Sequence, residues 1–285
     1  MFEIMRRHPD WLKVKISGGE KYREMISLLQ NSKLHTICQE AKCPNIAECF
    51  GSGTAVFLIM GNICTRDCRY CNVSHGSPRP LNPEEPKDVA ESVKKLNLKY
   101  AVITSVTRDD LVDGGASIFA NTITSIKEIK PDCKVEVLTP DFQGDVESLR
   151  TVLSAKPDVF NHNIEVVKQL FPKIRPEGSY ERSLVFLKNI KKIDKKTRSK
   201  SGFMIGLGES YNQIIATIKD LKIANVDFLT IGQYLQPTRN HVDIKRYYTP
   251  NEFKEFKEFA LDIGFKHVES GPLVRSSYHA EKAII

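Results

Sequence analysis

Six of the seven cysteines in this 285-residue sequence lie close together in two groups of three. The N-terminal cysteine group has the spacing C-x4-C-x5-C and the central cysteine group C-x3-C-x2-C; they are Cys38, Cys43 and Cys49, and Cys64, Cys68 and Cys71. Three thiolates on one short loop can bind three irons of a 4Fe–4S cube and leave its fourth iron open. An open metal position can bind a substrate or a cofactor. The central group therefore predicts a catalytic iron–sulfur site.

Zinc offers the alternative chemistry for both groups. Structural zinc takes four ligands, commonly from paired C-x2-C units, and the central group matches that pattern poorly. The N-terminal group also has only three cysteines, so a second cluster there needs a fourth ligand from elsewhere. Completion of a zinc site, or simple burial of these thiols, stays open. Cys133 lies outside both groups and is expected to be a buried, inert thiol.

The composition is that of an ordinary globular protein, with 41% hydrophobic residues and a net charge of +7. The sequence has no apolar run of about 18 residues and no leader-like start, so we expect a cytoplasmic protein without a membrane partner. An odd number of cysteines without an export signal argues against disulfides. The basic run at 188–200 predicts either a solvated helix end or a docking patch for an acidic partner or nucleic acid.

Short apolar runs alternate with amphipathic stretches through the middle of the chain, which predicts parallel strands connected by helices. The predicted strands are 55–60, 100–104, 134–138, 158–162, 202–206 and 227–231, and the predicted helices are 84–97, 116–130, 145–155, 179–193, 211–224 and 250–263. Six βα units are too few for a closed eight-unit barrel. The predicted fold class is α/β, a partial, open TIM-type barrel, with a doubly wound sheet as the alternative.

We expect residues 1–285 to form a single catalytic unit, with the barrel at 51–265. An N-terminal extension, 1–50, contains the N-terminal cysteine group and a helical stretch at 21–30, and a C-terminal tail, 266–285, is expected to be loop-like. In either fold the chemistry lies at the carboxyl ends of the strands. The central group follows the first strand there. Further strand-end candidates for cofactor binding are Thr104, Glu165, Gly206 and Gln233.

The spacing C-x3-C-x2-C is the signature of the radical S-adenosylmethionine superfamily, and its combination with the N-terminal group resembles the lipoyl synthase family. The resemblance covers nearly the whole chain, in the segments 8–13 (HPDWLK), 61–66 (GNICTR), 104–116 (TSVTRDDLVDGGA), 139–142 (TPDF), 161–165 (NHNIE), 232–237 (GQYLQP) and 275–280 (RSSYHA). Two departures leave the ligands in place: residues 40–42 read EAK where the family commonly has NMG, and Phe50 stands where it commonly has Trp.

The resemblance implies two 4Fe–4S clusters and S-adenosylmethionine as cofactors. Cys64, Cys68 and Cys71 are implied to bind the cluster whose open iron chelates S-adenosylmethionine, with Tyr70 against its adenine. The N-terminal cysteine group is implied to bind a second, auxiliary cluster, with Ser277 as fourth ligand and Ser276 as the alternative. An oxygen ligand on iron is more labile than a thiolate, which suits a cluster that must be dismantled.

The reaction that the resemblance implies is that of a sulfurtransferase. A radical abstracts hydrogen from an octanoyl chain on a lysine of a lipoyl-carrier protein, twice, and the auxiliary cluster donates two sulfur atoms. The implied partners are octanoylated lipoyl domains of 2-oxoacid dehydrogenase complexes or glycine cleavage H protein, an electron donor such as ferredoxin or flavodoxin, and an iron–sulfur cluster carrier, without nucleic acid or membrane. Sulfur insertion into a transfer RNA base, and a non-enzymatic iron–sulfur or zinc protein, stay open as alternatives.

Overall fold

The computed structural model describes residues 8–13, 19, 22–23, 26–27, 34–41, 43–51, 56–278 and 280. Most of the helical stretch predicted at 21–30 lies outside these residues, as do Lys42, Ala55 and His279. None of the helices in this described part combines the length and the apolar character that a membrane span requires.

One sheet of eight strands forms the centre of the fold, and a separate two-stranded pair lies beside it. In chain order the strands are β1 (His35–Thr36), β2 (Val56–Ile59), β3 (Ile63–Cys64), β4 (Ser74–His75), β5 (Tyr100–Ser105), β6 (Lys134–Leu138), β7 (Val159–Asn161), β8 (Arg198–Ile205), β9 (Phe228–Gln233) and β10 (His267–Gly271). The large sheet has the order β1-β2-β5-β6-β7-β8-β9-β10, and β3 pairs with β4. All neighbours run parallel except β1 and β2.

Helices connect the strands of the large sheet. They are α1 (Ile37–Glu40), α2 (Ile46–Gly51), α3 (Glu85–Lys95), α4 (Ala116–Ile129), α5 (Val146–Ser154), α6 (Phe171–Ile174), α7 (Tyr180–Ile193), α8 (Tyr211–Ile223) and α9 (Pro250–Asp262). Short side chains at their starts explain several boundaries, because they accept from amides that the first turn leaves free. Ser210 and Thr249 each form a capping box, with Gln213 and Glu252 respectively.

The prediction of an open barrel is confirmed. All six predicted strands and all six predicted helices are present, with boundaries shifted by a few residues. From β2 onward the strands of the sheet follow each other in chain order, so the sheet has no point where the order reverses, as a doubly wound sheet would. The edge strands β1 and β10 lie at opposite ends of the order, which leaves the sheet unclosed.

Three parts of the large sheet were missed in the sequence, one of them the short edge strand β1. Strand β10 lies in the tail that was expected to be loop-like, and that expectation was wrong for its first residues. Val268 is the only buried residue of β10, so the segment lacks the apolar run that marks a buried strand. Strand β8 begins at Arg198, four residues before the predicted start. Its first residues include Lys200, which a sequence pattern does not mark as buried, although it is buried in a 2.9 Å ion pair with Glu136.

Candidate active site

A cavity of about 500 Å³ opens at the carboxyl ends of the strands. Every cysteine of the N-terminal and central groups lines it, and so do Ser276 and Ser277. Three segments that are far apart in sequence therefore meet at the position where parallel α/β sheets place their chemistry. Cys133 is buried outside this cavity, as predicted.

The loop that carries the central group is closed by the small sheet of β3 and β4. Cys64 pairs with His75 in that sheet, and the Gly76 amide donates to the Cys64 carbonyl at 2.9 Å. The Cys64 sulfur accepts from the backbone amides of Arg66 and Thr107, at 3.4 and 3.3 Å. These two contacts hold the sulfur in place on the loop.

Arg66 fastens this loop to the rest of the barrel. Its Nε donates to Asp109 at 2.6 Å, and its Nη2 donates to Asp141 at 2.7 Å. Asp141 is fully buried and also accepts from Arg182 Nε at 2.6 Å. Burial acts to raise the pKa of Asp141, but His162 and the two arginines outweigh it and hold the pKa well below its usual range. The loop is thus tied to the ends of β5 and β6.

A second group of polar residues faces Cys68 and Cys71. Burial raises the pKa of Cys68, and the nearby Arg175 guanidinium opposes this shift. Burial also raises the pKa of Glu165, against the opposing effects of Arg175, Asn163 and Tyr70. Glu165 has a φ of +71°, which costs an ordinary side chain energy. A guanidinium, a carboxyl group and an aromatic ring therefore lie together beside the cysteines.

Several buried polar atoms of the cavity wall have no hydrogen-bond partner among the residues that the structure describes. They are Arg66 Nη1, Ser105 Oγ, Thr139 Oγ1, Asn163 Oδ1 and Arg175 Nε. Buried polar groups ordinarily find partners, so orphaned ones on a cavity wall indicate a polar ligand. Thr104 also lines the cavity, and its hydroxyl donates to the Leu138 carbonyl at 2.9 Å.

Gly206 and Gln233 are differently placed from the other predicted residues. Gly206 is not among the residues that line the cavity; it has a φ of +108°, and its amide donates to Glu209 at 2.6 Å. Gln233 lines the cavity, but its side chain accepts from the Tyr248 amide and donates to the carbonyls of Tyr234 and Arg246. Both residues thus support the wall through contacts within the protein.

The N-terminal cysteine group lies on α1, α2 and the turn between them. Burial raises the pKa of Cys38 to about 12, and the neighbouring Cys43 and Cys49 add to the shift, so the three sulfurs lie near each other. Burial lowers the pKa of Arg275, while the nearby Cys43 opposes that shift. Buried thiolates are costly unless a cation is present, and a metal cluster supplies one.

Two hydrogen bonds join this group to the residues that follow β10. The side-chain amide of Asn45 donates to the Leu273 carbonyl at 2.7 Å, and the Tyr278 hydroxyl donates to Glu48 at 3.1 Å. Gly232 at the end of β9 permits the approach, because a Cβ there would stand 2.2 Å from the Val274 carbonyl oxygen. Ser276 and Ser277 reach the cavity by this route.

Neither cysteine group has the geometry of a site for one ion. Among the described residues, no three His, Cys, Asp or Glu side chains are placed to share a single metal ion. In a 4Fe–4S cube each thiolate binds a different iron, so its ligands do not share one ion.

Some residues of the site were not recognised in the sequence. Three of them, Arg66, Asp109 and Asp141, lie within the family-like segments 61–66, 104–116 and 139–142. Their positions in these segments could therefore have identified them. Arg275 likewise opens the segment 275–280. Arg175 was missed for another reason: nothing in its sequence surroundings distinguishes it from an exposed arginine, and only the fold buries it beside a cysteine.

Two family descriptions match the sequence. Residues 58–221 match the Radical SAM superfamily, and residues 3–43 match the N-terminal domain of lipoyl synthase of that family. Among curated proteins, the lipoyl synthase of Rubrobacter xylanophilus is 54% identical over 96% of this chain and 85% of its own. The lipoyl synthase of Caldicellulosiruptor saccharolyticus is 53% identical over 98% of both chains.

Solved structures resemble the fold at low sequence identity. SuiB of Streptococcus suis bound to S-adenosylmethionine has a TM-score of 0.57 at 14% identity, over 76% of this chain and 50% of that one. Methylornithine synthase has a TM-score of 0.52 at 13% identity, over 89% and 83%. These likenesses bear on the fold, and the family rests on the sequence matches. The chain belongs to the lipoyl synthase family of the radical S-adenosylmethionine superfamily.

Proposed function

We propose that this chain is a sulfurtransferase that inserts two sulfur atoms into an octanoyl chain carried on a lysine of a lipoyl-carrier protein. The observation that carries the proposal is the single cavity lined by both cysteine groups together with Ser276 and Ser277. A reaction that couples hydrogen abstraction to sulfur insertion needs both centres to face one substrate. Membership in the lipoyl synthase family supports the same activity.

The donor sets fit the cofactors of a radical S-adenosylmethionine enzyme. We assign the central cysteine group to a 4Fe–4S cluster that binds S-adenosylmethionine, and the N-terminal group with Ser277 to a second, auxiliary cluster. When bound, the first cluster and S-adenosylmethionine together would supply hydrogen-atom abstraction from an unactivated carbon, and the auxiliary cluster would supply sulfur. The hydroxyl of Ser277 is a harder and more labile ligand than a thiolate, which suits a cluster that gives up its sulfide.

The orphaned polar atoms suit the methionyl end of S-adenosylmethionine. That end carries an amino group and a carboxylate, and the cavity offers Arg175 and Glu165 side by side. We propose that Arg175 Nε, which has no hydrogen-bond partner in the described part of the chain, donates to the carboxylate. Glu165 and Asn163 Oδ1 are proposed to accept from the amino group. Tyr70 lies beside Glu165 and is proposed to contact the adenine.

Apolar side chains complete the wall and exclude water from the reacting carbon. Leu58, Val106 and Phe203 are buried and line the cavity. Exclusion of water matters because it prevents side reactions of reactive intermediates. An octanoyl chain is apolar along its length, so the same surface stabilises the substrate.

The partners follow from this activity. The substrate is carried by a lipoyl-carrier protein, and we propose octanoylated lipoyl domains of 2-oxoacid dehydrogenase complexes or glycine cleavage H protein as that carrier. Each cleavage of S-adenosylmethionine consumes one electron, for which we propose a ferredoxin or flavodoxin. Because the auxiliary cluster is consumed, we also propose an iron–sulfur cluster carrier that rebuilds it.

Mass spectrometry of the carrier tests this proposal. The reconstituted protein is incubated anaerobically with dithionite, S-adenosylmethionine and an octanoylated lipoyl domain. We expect the carrier to gain two sulfur atoms, and a variant with Cys64→Ala to give no gain because it lacks a cluster ligand. A carrier that keeps its mass while a transfer RNA gains sulfur would show that the substrate is a nucleic acid instead.

A further inference from the structure

The loop that carries the central cysteine group can be reached from two sides. Its inner side faces the main cavity, and a second, shallower depression of about 830 Å³ lies against it as well. Cys68 and Cys71 line both spaces. The N-terminal cysteine group and Ser277 line only the main cavity. The depression therefore gives access to one cluster site and not to the other.

Two segments that are distant in sequence, Lys173 and residues 238–245, build the depression against the cysteine loop. His241 Nε2 donates to the Cys71 carbonyl at 2.9 Å, while His241 Nδ1 accepts from the Thr238 hydroxyl at 2.8 Å. The Val242 amide donates to the Arg69 carbonyl at 3.3 Å. The Arg69 amide in turn donates to the Ile174 carbonyl at 3.0 Å. The loop is thus held by backbone contacts on its outer side, and the surface is defined without any ligand.

The surface of the depression is positively charged. Its basic side chains are Arg69, Lys173, Arg239 and Lys245, and its acidic side chains are Asp67 and Asp243. Lys245 lies 3.6 Å from Asp243, whereas Arg69, Lys173 and Arg239 are exposed and have no acidic partner within the described residues. Unpaired exposed charges of one sign around a concave surface attract a partner of the opposite sign.

The charge and the position of the depression together indicate which kind of partner binds there. A substrate must reach the space between both cysteine groups, and the depression does not open onto the N-terminal group. An electron donor needs only a short distance to the first cluster, and the depression ends at two of its proposed ligands. We propose that this depression docks a small, acidic electron-transfer protein that reduces the cluster held by Cys64, Cys68 and Cys71.

This inference rests on the proposed function, which supplies the cluster and the need for electrons. The donor is oxidised by one electron for each S-adenosylmethionine cleaved. That electron is used to break the carbon–sulfur bond of the sulfonium, so the electron count closes without another reagent.

The basic run at 188–200 is the competing surface, and its position argues against it. It leads into the amino end of β8, whereas the cavity lies at the carboxyl ends of the strands. Two of its cations are used inside the protein: Lys200 pairs with Glu136, and Lys191 pairs with Asp227. A donor bound there stands the length of the barrel away from the cysteines.

Charge reversal on the two surfaces tests the proposal. The double variant Lys173→Glu/Arg239→Glu changes the depression, and Lys195→Glu/Lys196→Glu makes the same charge change on exposed residues of the basic run. Two readouts are taken on each reconstituted holoenzyme: the Kd for an acidic flavodoxin, by calorimetry at two salt concentrations, and the rate of S-adenosylmethionine cleavage with flavodoxin or with dithionite.

We expect the depression variant to weaken flavodoxin binding by about tenfold or more and to slow flavodoxin-driven cleavage similarly, because rim charges control association. Dithionite-driven cleavage and the basic-run control should match the parent. Parent-like flavodoxin binding by the depression variant would overturn the inference, and so would an equal loss in the basic-run control. A variant that loses the octanoylated carrier and keeps flavodoxin would overturn it too. If the parent itself fails to cleave with dithionite, the proposed function fails instead.

Discussion

The guanidinium of Arg66 donates a 2.7 Å hydrogen bond to the buried carboxylate of Asp141. Arg66 stands between Cys64 and Cys68 in the sequence, and Asp141 follows β6. Together with the pair between Arg66 and Asp109, this ion pair ties the cysteine loop to the barrel. The geometry of the proposed cluster site depends on it, because Arg66 is the buried charge of the loop between these two cysteines.

Asp141→Asn should destabilise the protein and impair assembly of the first cluster. The change leaves Arg66 and Arg182 facing a neutral amide, and loss of one partner from a buried ion pair costs about 3–5 kcal/mol. Urea unfolding monitored by circular dichroism measures the free energy of unfolding, and iron analysis measures the cluster. Asp132→Asn, on the exposed surface, is the matched control and should change neither. A parent-like stability of Asp141→Asn would contradict the role of the pair.

The stabilisation from Asp141 should depend on pH in one direction. Its folded-state pKa lies well below the ordinary value of 3.8, so the folded protein binds this proton less readily than the unfolded chain does. The contribution is complete above that ordinary value and is lost as the pH falls below it. The difference in unfolding free energy between parent and Asp141→Asn should stay constant from pH 7 to about pH 5 and shrink below about pH 4. A difference that grows on acidification would contradict this sign.

Ser277→Ala should separate the two halves of the proposed reaction. The variant keeps the central cysteine group, so we expect cleavage of S-adenosylmethionine at the parent rate, measured as 5′-deoxyadenosine. It loses the proposed fourth ligand of the auxiliary cluster, so sulfur insertion into the octanoyl chain should be lost. Ser276→Ala is the matched control, because both serines line the cavity. If Ser276→Ala alone loses sulfur insertion, the ligand is the neighbouring serine.

Gly232→Ala should have a similar effect for a steric reason. The added Cβ would stand 2.2 Å from the Val274 carbonyl oxygen, so the backbone that leads to the serines must move. We expect the iron content to fall from about eight to about four per chain. Gly271→Ala is the control, since its Cβ would meet the Val274 side chain at 3.3 Å and needs only a small adjustment. Full iron content in Gly232→Ala would show that the approach is not required.

Substitution of the central cysteines should abolish S-adenosylmethionine cleavage. Cys71→Ser removes a proposed ligand of the first cluster, and the signal of its reduced form in electron paramagnetic resonance should disappear. Cys133→Ser changes the buried cysteine outside the cavity and should keep both the signal and the cleavage. A residual parent-like rate in Cys71→Ser would refute the assignment.

Arg175→Gln should weaken the binding of S-adenosylmethionine. The substitution removes the guanidinium whose Nε has no protein partner, and hydrogen bonds to charged groups contribute about 1.5–3 kcal/mol. Equilibrium dialysis on the reconstituted protein should therefore show a Kd raised by roughly tenfold to a hundredfold. Lys173→Gln removes an exposed cation two residues away and serves as the control. An unchanged Kd in Arg175→Gln would place the carboxylate elsewhere.

The sequence was sufficient for the barrel because its strands and helices have strong local patterns. Runs such as 100–104 and 134–138 are apolar and β-branched, and four of the six predicted helices begin at side chains that cap them. Strand β10 was not predicted because it depends on pairing with β9 and on the 2.8 Å hydrogen bond from Ser270 to the Phe253 carbonyl. Such contacts are set by the tertiary structure and leave no periodic signal.

The candidate site was predictable where spacing along the chain encodes it. Cysteines within one loop reveal a shared function through their separation, and the two groups were found in this way. Arg175 and Glu165 lie ten residues apart and come together only through the fold. Gly206 was expected at the cofactor, yet its amide is engaged by Glu209. A glycine after a strand indicates that the backbone there adopts a conformation that other residues disfavour. It does not indicate whether a cofactor or a group of the protein itself requires that conformation.

The link between Asn45 and Leu273 joins residues 228 positions apart in the chain. During synthesis on the ribosome, the loop of the central group and the strands beneath it emerge well before residue 273. The proposed auxiliary site stays open on one side until Leu273, Ser277 and Tyr278 have been made. Synthesis from the N-terminal side therefore completes the loop of the central group before it completes the proposed auxiliary site.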